Sequence, residues 1–170
     1  NRSDKPDGVA AYAMPNHLAD IAAVIQHTGE ESATIVGHDW GGAVAWSFAL
    51  THPEMTDKLV ILNLPHPNGL ARELRTNPQQ YENSAYARTF QEKDPDDPTV
   101  LFGRPMTPET LAFWVTDPDA RARYVEAFER SDFAGMLNMY KANYPGGKPG
   151  DDLPPPAPKA TMPVLMFHGL

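Results

Sequence analysis

The stretch Val36-Gly37-His38-Asp39-Trp40-Gly41-Gly42 decides how this chain is read. An apolar run from Ala33 to Val36 leads into it and predicts a short buried strand. A segment rich in small residues, about Gly42 to His52, leaves it and predicts a helix that stops ahead of Pro53, because the residue before a proline is steered away from helical backbone. Gly-x-Asp-x-Gly alone is a weak pattern. Between a strand and a helix it describes a sharp turn that lifts the central side chain clear of the sheet. Gly37 and Gly41 are then expected because a side chain at either would clash where strand and helix pass closely. The helix N-terminus turns free N–H groups and a positive dipole end towards Asp39, favouring an ionised carboxylate and a developing oxyanion, with the Trp40 N–H as the oxyanion donor. Asp39 is therefore a candidate nucleophile. The plainer reading is that Asp39 only caps the helix; it suits an isolated Asp after a strand and leaves the two glycines unexplained.

Working outward, Asn16 is a candidate cap for a helix with Leu18, Ile21, Ala22 and Ile25 at helical spacing, and Gly29 suits its C-terminal end. Lys58 to Leu64, with Leu59, Val60, Ile61 and Leu62 in succession, reads as a strand covered on both faces. Strand, helix and strand with short connections indicate a parallel sheet. Beyond Pro67 the pattern becomes helical, with segments around 69–76, 79–91, 108–115, 118–130 and 132–142. Pro and Gly crowd Pro145 to Pro158 as an irregular return, and Pro163 to Phe167 reads as the next parallel strand. The expected organisation is an α/β core over 1–66, an inserted all-helical lid over 67–157, and a further core strand within 158–170.

A carboxylate nucleophile narrows the chemistry. Attack on an sp3 carbon forms an alkyl ester that water can cleave at its carbonyl, which suits epoxides and alkyl halides better than peptides. A halide leaves as a stable anion and needs only N–H donors. An epoxide oxygen leaves as an alkoxide and needs a proton donor such as a Tyr hydroxyl.

The elbow stretch resembles that of soluble epoxide hydrolases of the α/β-hydrolase superfamily. Leu62-Asn63-Leu64-Pro65-His66-Pro67 is similar to that family's approach to its lid, and Ser3-Asp4-Lys5-Pro6 to the tail of an upstream turn. Ser84-Ala85-Tyr86 with Phe90-Gln91, and Leu137-Asn138-Met139-Tyr140-Lys141, resemble the settings of the family's two lid tyrosines. The resemblance implies a partial α/β-hydrolase fold in which Asp39 opens an epoxide and Tyr86 and Tyr140 bind and protonate its oxygen, giving a vicinal diol. The bland alternative makes both tyrosines ordinary helix residues, like Tyr12, Tyr81, Tyr124 and Tyr144. Haloalkane dehalogenases share the Asp-Trp pair, so Trp40 does not separate dehalogenation from epoxide opening; a non-catalytic binding protein of the same fold is the third reading. The chain starts at Asn1 without an initiator Met and ends at Leu170 inside an apolar element, which suggests a piece of a longer protein. The family's acid and histidine are then expected beyond Leu170 and its oxyanion loop before Asn1, so that this piece alone should not turn over. His38 is expected to be a hydrogen-bonded structural residue. His168 sits too early to be the catalytic histidine, and His17, His27, His52 and His66 are expected at the surface or at caps.

The 170 residues carry a net charge of −8, which disfavours a nucleic-acid partner. With no cysteine, disulfides and thiol chemistry are excluded, in keeping with a cytoplasmic setting. No apolar run approaches the roughly 18 residues of a membrane span. There is no metal-ligand spacing and no phosphate-cradling glycine loop, so the expected partners are a small epoxide and water, with no cofactor and no metal; oligomeric state is not legible.

Overall fold

The computed structural model describes residues 3–169, which divide into two compact units. One holds Ala13–Glu82 with Pro145–Leu170; the other holds Asn83–Tyr144 with Asn1–Tyr12. This division runs along different lines from the segments read from composition, since residues 67–82 group with the sheet.

The first unit contains a parallel sheet in the order β1 (Ala33–His38), β2 (Thr56–Leu62), β3 (Val164–Phe167). Central β2 has the strongest apolar run, and its Leu59 and Ile61 are fully buried. Helix α2 (Trp40–Thr51) lies on β1 and β2 and contributes Ala45, Trp46 and Ala49 to one core with those two residues. Truncating Leu59 or Ile61 to Ala would cost roughly 2–5 kcal/mol, transfer and cavity terms together. The expectation of a buried first strand needs correction. β1 pairs on one side only among the described residues, and Val36 is 60% exposed. The four residues of β3 are exposed as well.

Helix α1 (Met14–His27) begins before Asn16, with Ala13 as its uncapped start. Pro15 occupies the first turn, where a missing N–H costs nothing, so Asn16 is a helical residue and not the cap. Thr28 ends the helix and Gly29 follows at φ 82°, as its sequence position suggested. Helix α3 (Pro67–Thr76) starts from His66, whose Nδ1 accepts the Asn68 N–H at 3.2 Å. The Pro145–Pro158 return has no regular structure. It is fastened to α3 by Gly150 N–H donating to Arg75 O at 3.0 Å and by Asn68 Nδ2 donating to Pro155 O at 2.6 Å. The short helix α4 (Pro78–Asn83) follows α3.

The second unit contains α5 (Ala85–Glu92), α6 (Pro108–Leu111), α7 (Pro118–Glu129) and α8 (Phe133–Asn143). The single helix expected over 79–91 is two, broken at Ser84, which is buried and starts α5. Phe90, Val100, Leu101, Met106 and Leu137 form this unit's core. A 3-10 turn, Val9–Tyr12, packs on α8. The Tyr12 phenol hydrogen-bonds Asp132, the residue that caps α8 through the Ala134 N–H at 3.0 Å. Asn143 Nδ2 donates to the Tyr12 carbonyl at 2.7 Å. A glycine inside α8 makes this approach possible, because a Cβ on Gly135 would lie 2.5 Å from the Tyr12 oxygen. No helix among the described residues is long and apolar enough to cross a membrane.

Burial raises the Tyr12 phenol above its ordinary value of 10.0, and the charge and hydrogen bond of Asp132 add to the shift. A group raised in the folded state gives its full stabilisation below its unfolded value and loses it as pH rises through the folded one. Tyr12→Phe is therefore expected to cost about 1 kcal/mol at neutral pH and to lose less stability than the parent above pH 10, as read from melting curves across that range.

Candidate active site

β1 delivers the chain to Asp39 and α2 takes it away, and the turn between them is tight. Asp39 has φ 52° and ψ −125°, a conformation that non-glycine residues rarely adopt. Such backbone costs about 1–3 kcal/mol and persists only where its surroundings impose it. Here the imposing contact is Gly37 against Gly41, since a Cβ on Gly37 would stand 2.3 Å from the Gly41 carbonyl oxygen and 2.8 Å from Ala45 Cβ. Gly37 is thus required for close approach, as its place in the motif indicated. Gly41 is not: a Cβ there meets nothing within 4 Å. The second close approach belongs to Gly42, where a Cβ would lie 3.1 Å from Leu64 Cβ. The clash expected at Gly41 therefore falls one residue later, on the side of α2 that faces the end of β2.

Asp39 is both cap and exposed carboxylate. Its backbone oxygen accepts from Gly42 N–H at 2.8 Å and Ala43 N–H at 3.1 Å, closing the first turn of α2. Its Oδ2 accepts the Trp40 N–H at 2.8 Å, which leaves Oδ1 as the other carboxylate oxygen. The cap reading and the nucleophile reading are compatible, because one oxygen can be held while its twin attacks. His38 departs from expectation: at the end of β1 it is exposed and makes no side-chain hydrogen bond among the described residues. A groove of about 350 Å³ runs beside the turn, lined by His17, Asp20, Ile21, Ile35, Val36, Gly41, Val44 and Ala45. Asp39 is not among its walls.

His66 does more than its position suggested. Besides capping α3, its ring meets the Trp46 indole edge-on at 5.0 Å between centroids. Burial pushes its pKa below the ordinary 6.5.

In the other unit, Tyr86 on α5 and Tyr140 on α8 come together with ring centroids 6.2 Å apart, 54 positions apart in sequence (140 − 86). Phe90 packs edge-on against both, at 5.7 Å from Tyr86 and 4.9 Å from Tyr140. Gln91, quoted above beside Tyr86, reaches the carbonyls of Tyr140 and Tyr144 at 3.3 and 3.4 Å and so ties α5 to α8. Two features here escaped sequence reading. The Tyr12 clasp on α8 was signalled only by a glycine in a helix interior. Phe102, at φ 51° before Gly103 at φ 82°, forms a tight turn that the Phe-Gly pair barely announces.

The model of the alpha/beta hydrolase fold family matches residues 1–170. The AB hydrolase superfamily protein YfhM of Bacillus subtilis is 37% identical over 151 residues, covering 84% of this chain and 52% of that protein. Epoxide hydrolase 3 of Xenopus tropicalis is 32% identical, covering 82% and 41% respectively. The chain thus spans about half the length of these relatives or less. Among solved structures, one of the epoxide hydrolases from metagenomes of hot environments superposes with a TM-score of 0.77 at 32% identity, over 98% of this chain and 60% of its own. A Bacillus megaterium epoxide hydrolase, an F128A mutant bound to its diol product, gives a TM-score of 0.68 at 33% identity, over 83% and 51%.

Three substitutions and one titration test this geometry. Gly37→Ala is expected to destabilise by about 2–3 kcal/mol through backbone overlap, whereas Gly41→Ala stays within about 1 kcal/mol of the parent; paired denaturant melts read the difference. For His66, depressed in the folded state, stabilisation is present above pH 6.5 and is lost as pH falls through the folded value. The protection factor of the Asn68 amide, its exchange measured relative to the intrinsic rate at each pH, is accordingly expected to fall below pH 6.5, and His66→Asn, which keeps a cap acceptor, to remove that dependence.

Proposed function

The chain belongs to the α/β hydrolase fold family, and from that premise we propose that it carries the nucleophile and oxygen-binding residues of an epoxide hydrolase working through a covalent aspartyl ester. The observation that carries the proposal is the state of Asp39, an exposed carboxylate on strained backbone with one oxygen held by the Trp40 N–H at 2.8 Å. Oδ1 attacks a ring carbon, the C–O bond of the epoxide breaks, and the electron pair leaves on oxygen. Tyr86 and Tyr140 supply hydrogen bonds and a proton to that oxygen. Oδ2 becomes the carbonyl oxygen of the ester, already on the donor that will stabilise it when water adds and it becomes an oxyanion. The held oxygen thus moves very little during the chemistry.

The named relatives and neighbours that are epoxide hydrolases support this substrate class. So does the pairing of the two tyrosines at 6.2 Å, which the dehalogenase reading does not require. The segments 67–157 and 1–66 with 158–170 are assigned as lid and core on the same reading. The acid and histidine that would activate water are assigned to no residue of this chain.

In the full-length protein, Asp39→Asn is expected to abolish diol formation, and Tyr86→Phe/Tyr140→Phe together to lower kcat for epoxide opening by at least about 10²-fold. Mass spectrometry of protein quenched during turnover is expected to show a peptide containing Asp39 heavier by one intact epoxide. Parental rates in the double mutant, or halide release from chloroalkanes without epoxide turnover, would remove the assignment.

A further inference from the structure

Phe102 combines two unfavourable properties in one residue. It has φ 51°, in the left-handed region where a Cβ is strained. It is also 66% exposed, the highest value among the exposed large apolar side chains of the described residues. Neither property reflects a loose loop. Leu101 and Arg104 exchange both backbone hydrogen bonds, at 2.9 and 3.0 Å, and Gly103 N–H donates to Thr99 O at 3.1 Å. Leu101 on one side of the tip is buried in the core with Phe90, Val100, Met106 and Leu137. Two-residue turns with both central residues left-handed favour Asn, Asp or Gly at the first position. The turn is therefore rigid, and it presents an aromatic ring where backbone preference and solvent both disfavour one.

The ring is placed beside Tyr86. Its centroid lies 5.9 Å from that of Tyr86, tilted by 45°, and 5.9 Å from that of Phe90. These contacts cover a minor part of its surface. An oxygen bound at Tyr86 and a flat group packed on Phe102 would thus be held by neighbouring rings of one unit. Flat apolar groups pack well against such a ring, edge-on or offset.

We propose that Phe102 is a substrate-binding residue that receives the aryl substituent of the epoxide and sets a preference for aryl-substituted over small aliphatic epoxides. The proposal rests on the reading of Tyr86 and Tyr140 as the oxygen-binding pair. It also accounts for the turn: the strain is retained because the ring is used from outside the unit's own core.

The test compares styrene oxide with 1,2-epoxybutane in the full-length protein and its Phe102→Ala, Phe102→Gly and Phe102→Tyr variants. Ala and Gly are expected to raise KM and lower kcat/KM for styrene oxide by about tenfold, with kcat/KM for 1,2-epoxybutane within about twofold of the parent. Tyr, which keeps the ring, is expected to keep the parental selectivity. Gly removes the left-handed strain, so its melting temperature should equal or exceed the parent's, separating lost selectivity from lost folding. Equal losses on both epoxides, or no loss on styrene oxide, would overturn the proposal. So would a parent that opens 1,2-epoxybutane but not styrene oxide, with the epoxide reading left standing. A parent that opens neither overturns both.

Discussion

The approach of strand β1 to helix α2 at Gly37 is the constraint on which the geometry of Asp39, the residue we propose as nucleophile, depends. With hydrogen as its only side chain, Gly37 lets the Gly41 carbonyl come so close that any Cβ would overlap it. The chain must then reverse within a very few residues, and Asp39 absorbs the reversal in its own backbone. The strain is local and the forces that hold it are not. On one side lies the β1–β2 ladder, from Ala33 opposite Thr56 to His38 opposite Leu62. On the other lies a helix anchored by Trp46, Phe48 and Ala49. A carboxylate presented this way needs no side-chain rearrangement to keep one oxygen on the Trp40 N–H, and preorganisation of that kind is where enzymes gain most electrostatically.

The second unit solves a different problem. Two phenols far apart in sequence are brought side by side. Phe90 supports them by packing edge-on against both rings, while the Gln91 amide bridges α5 to the C-terminal turn of α8. The same helices thus form the unit's core and hold the tyrosine pair against it, with Phe90 belonging to both.

What could be read from the sequence follows from what is local. The elbow, the alternation of strand and helix, the parallel neighbours and the irregular Pro-rich return are carried by short windows of residues, and each is seen in the structure. The role of Gly41 was misplaced because a pattern names positions without telling which glycine faces a neighbour; only Leu64, from the end of another strand, shows that it is Gly42. Burial of β1 was overestimated for a related reason, since apolar content does not tell how many neighbours a strand has. The tyrosine pairing was legible only through family resemblance, because contact across 54 positions (140 − 86) leaves no local trace. The clasp by Tyr12 was invisible for the same reason, and Gly135 alone hinted at it.

That clasp bears on how the chain reaches its native state. Tyr12 and Asn143 are 131 positions apart, and two of the three strands of the sheet, β1 and β2, lie between them in sequence. During synthesis the N-terminal turn emerges long before the helix it grips. Its contacts must wait for α8, and closing so long a loop carries an entropy penalty that local contacts escape. Pairing of β1 with β2 can proceed meanwhile from contacts nearer in sequence, whereas β3 emerges only after α8. The helical unit, made of two pieces of chain, becomes complete only when the early piece is recaptured, so its folding is tied to the end of α8 and not to its own beginning.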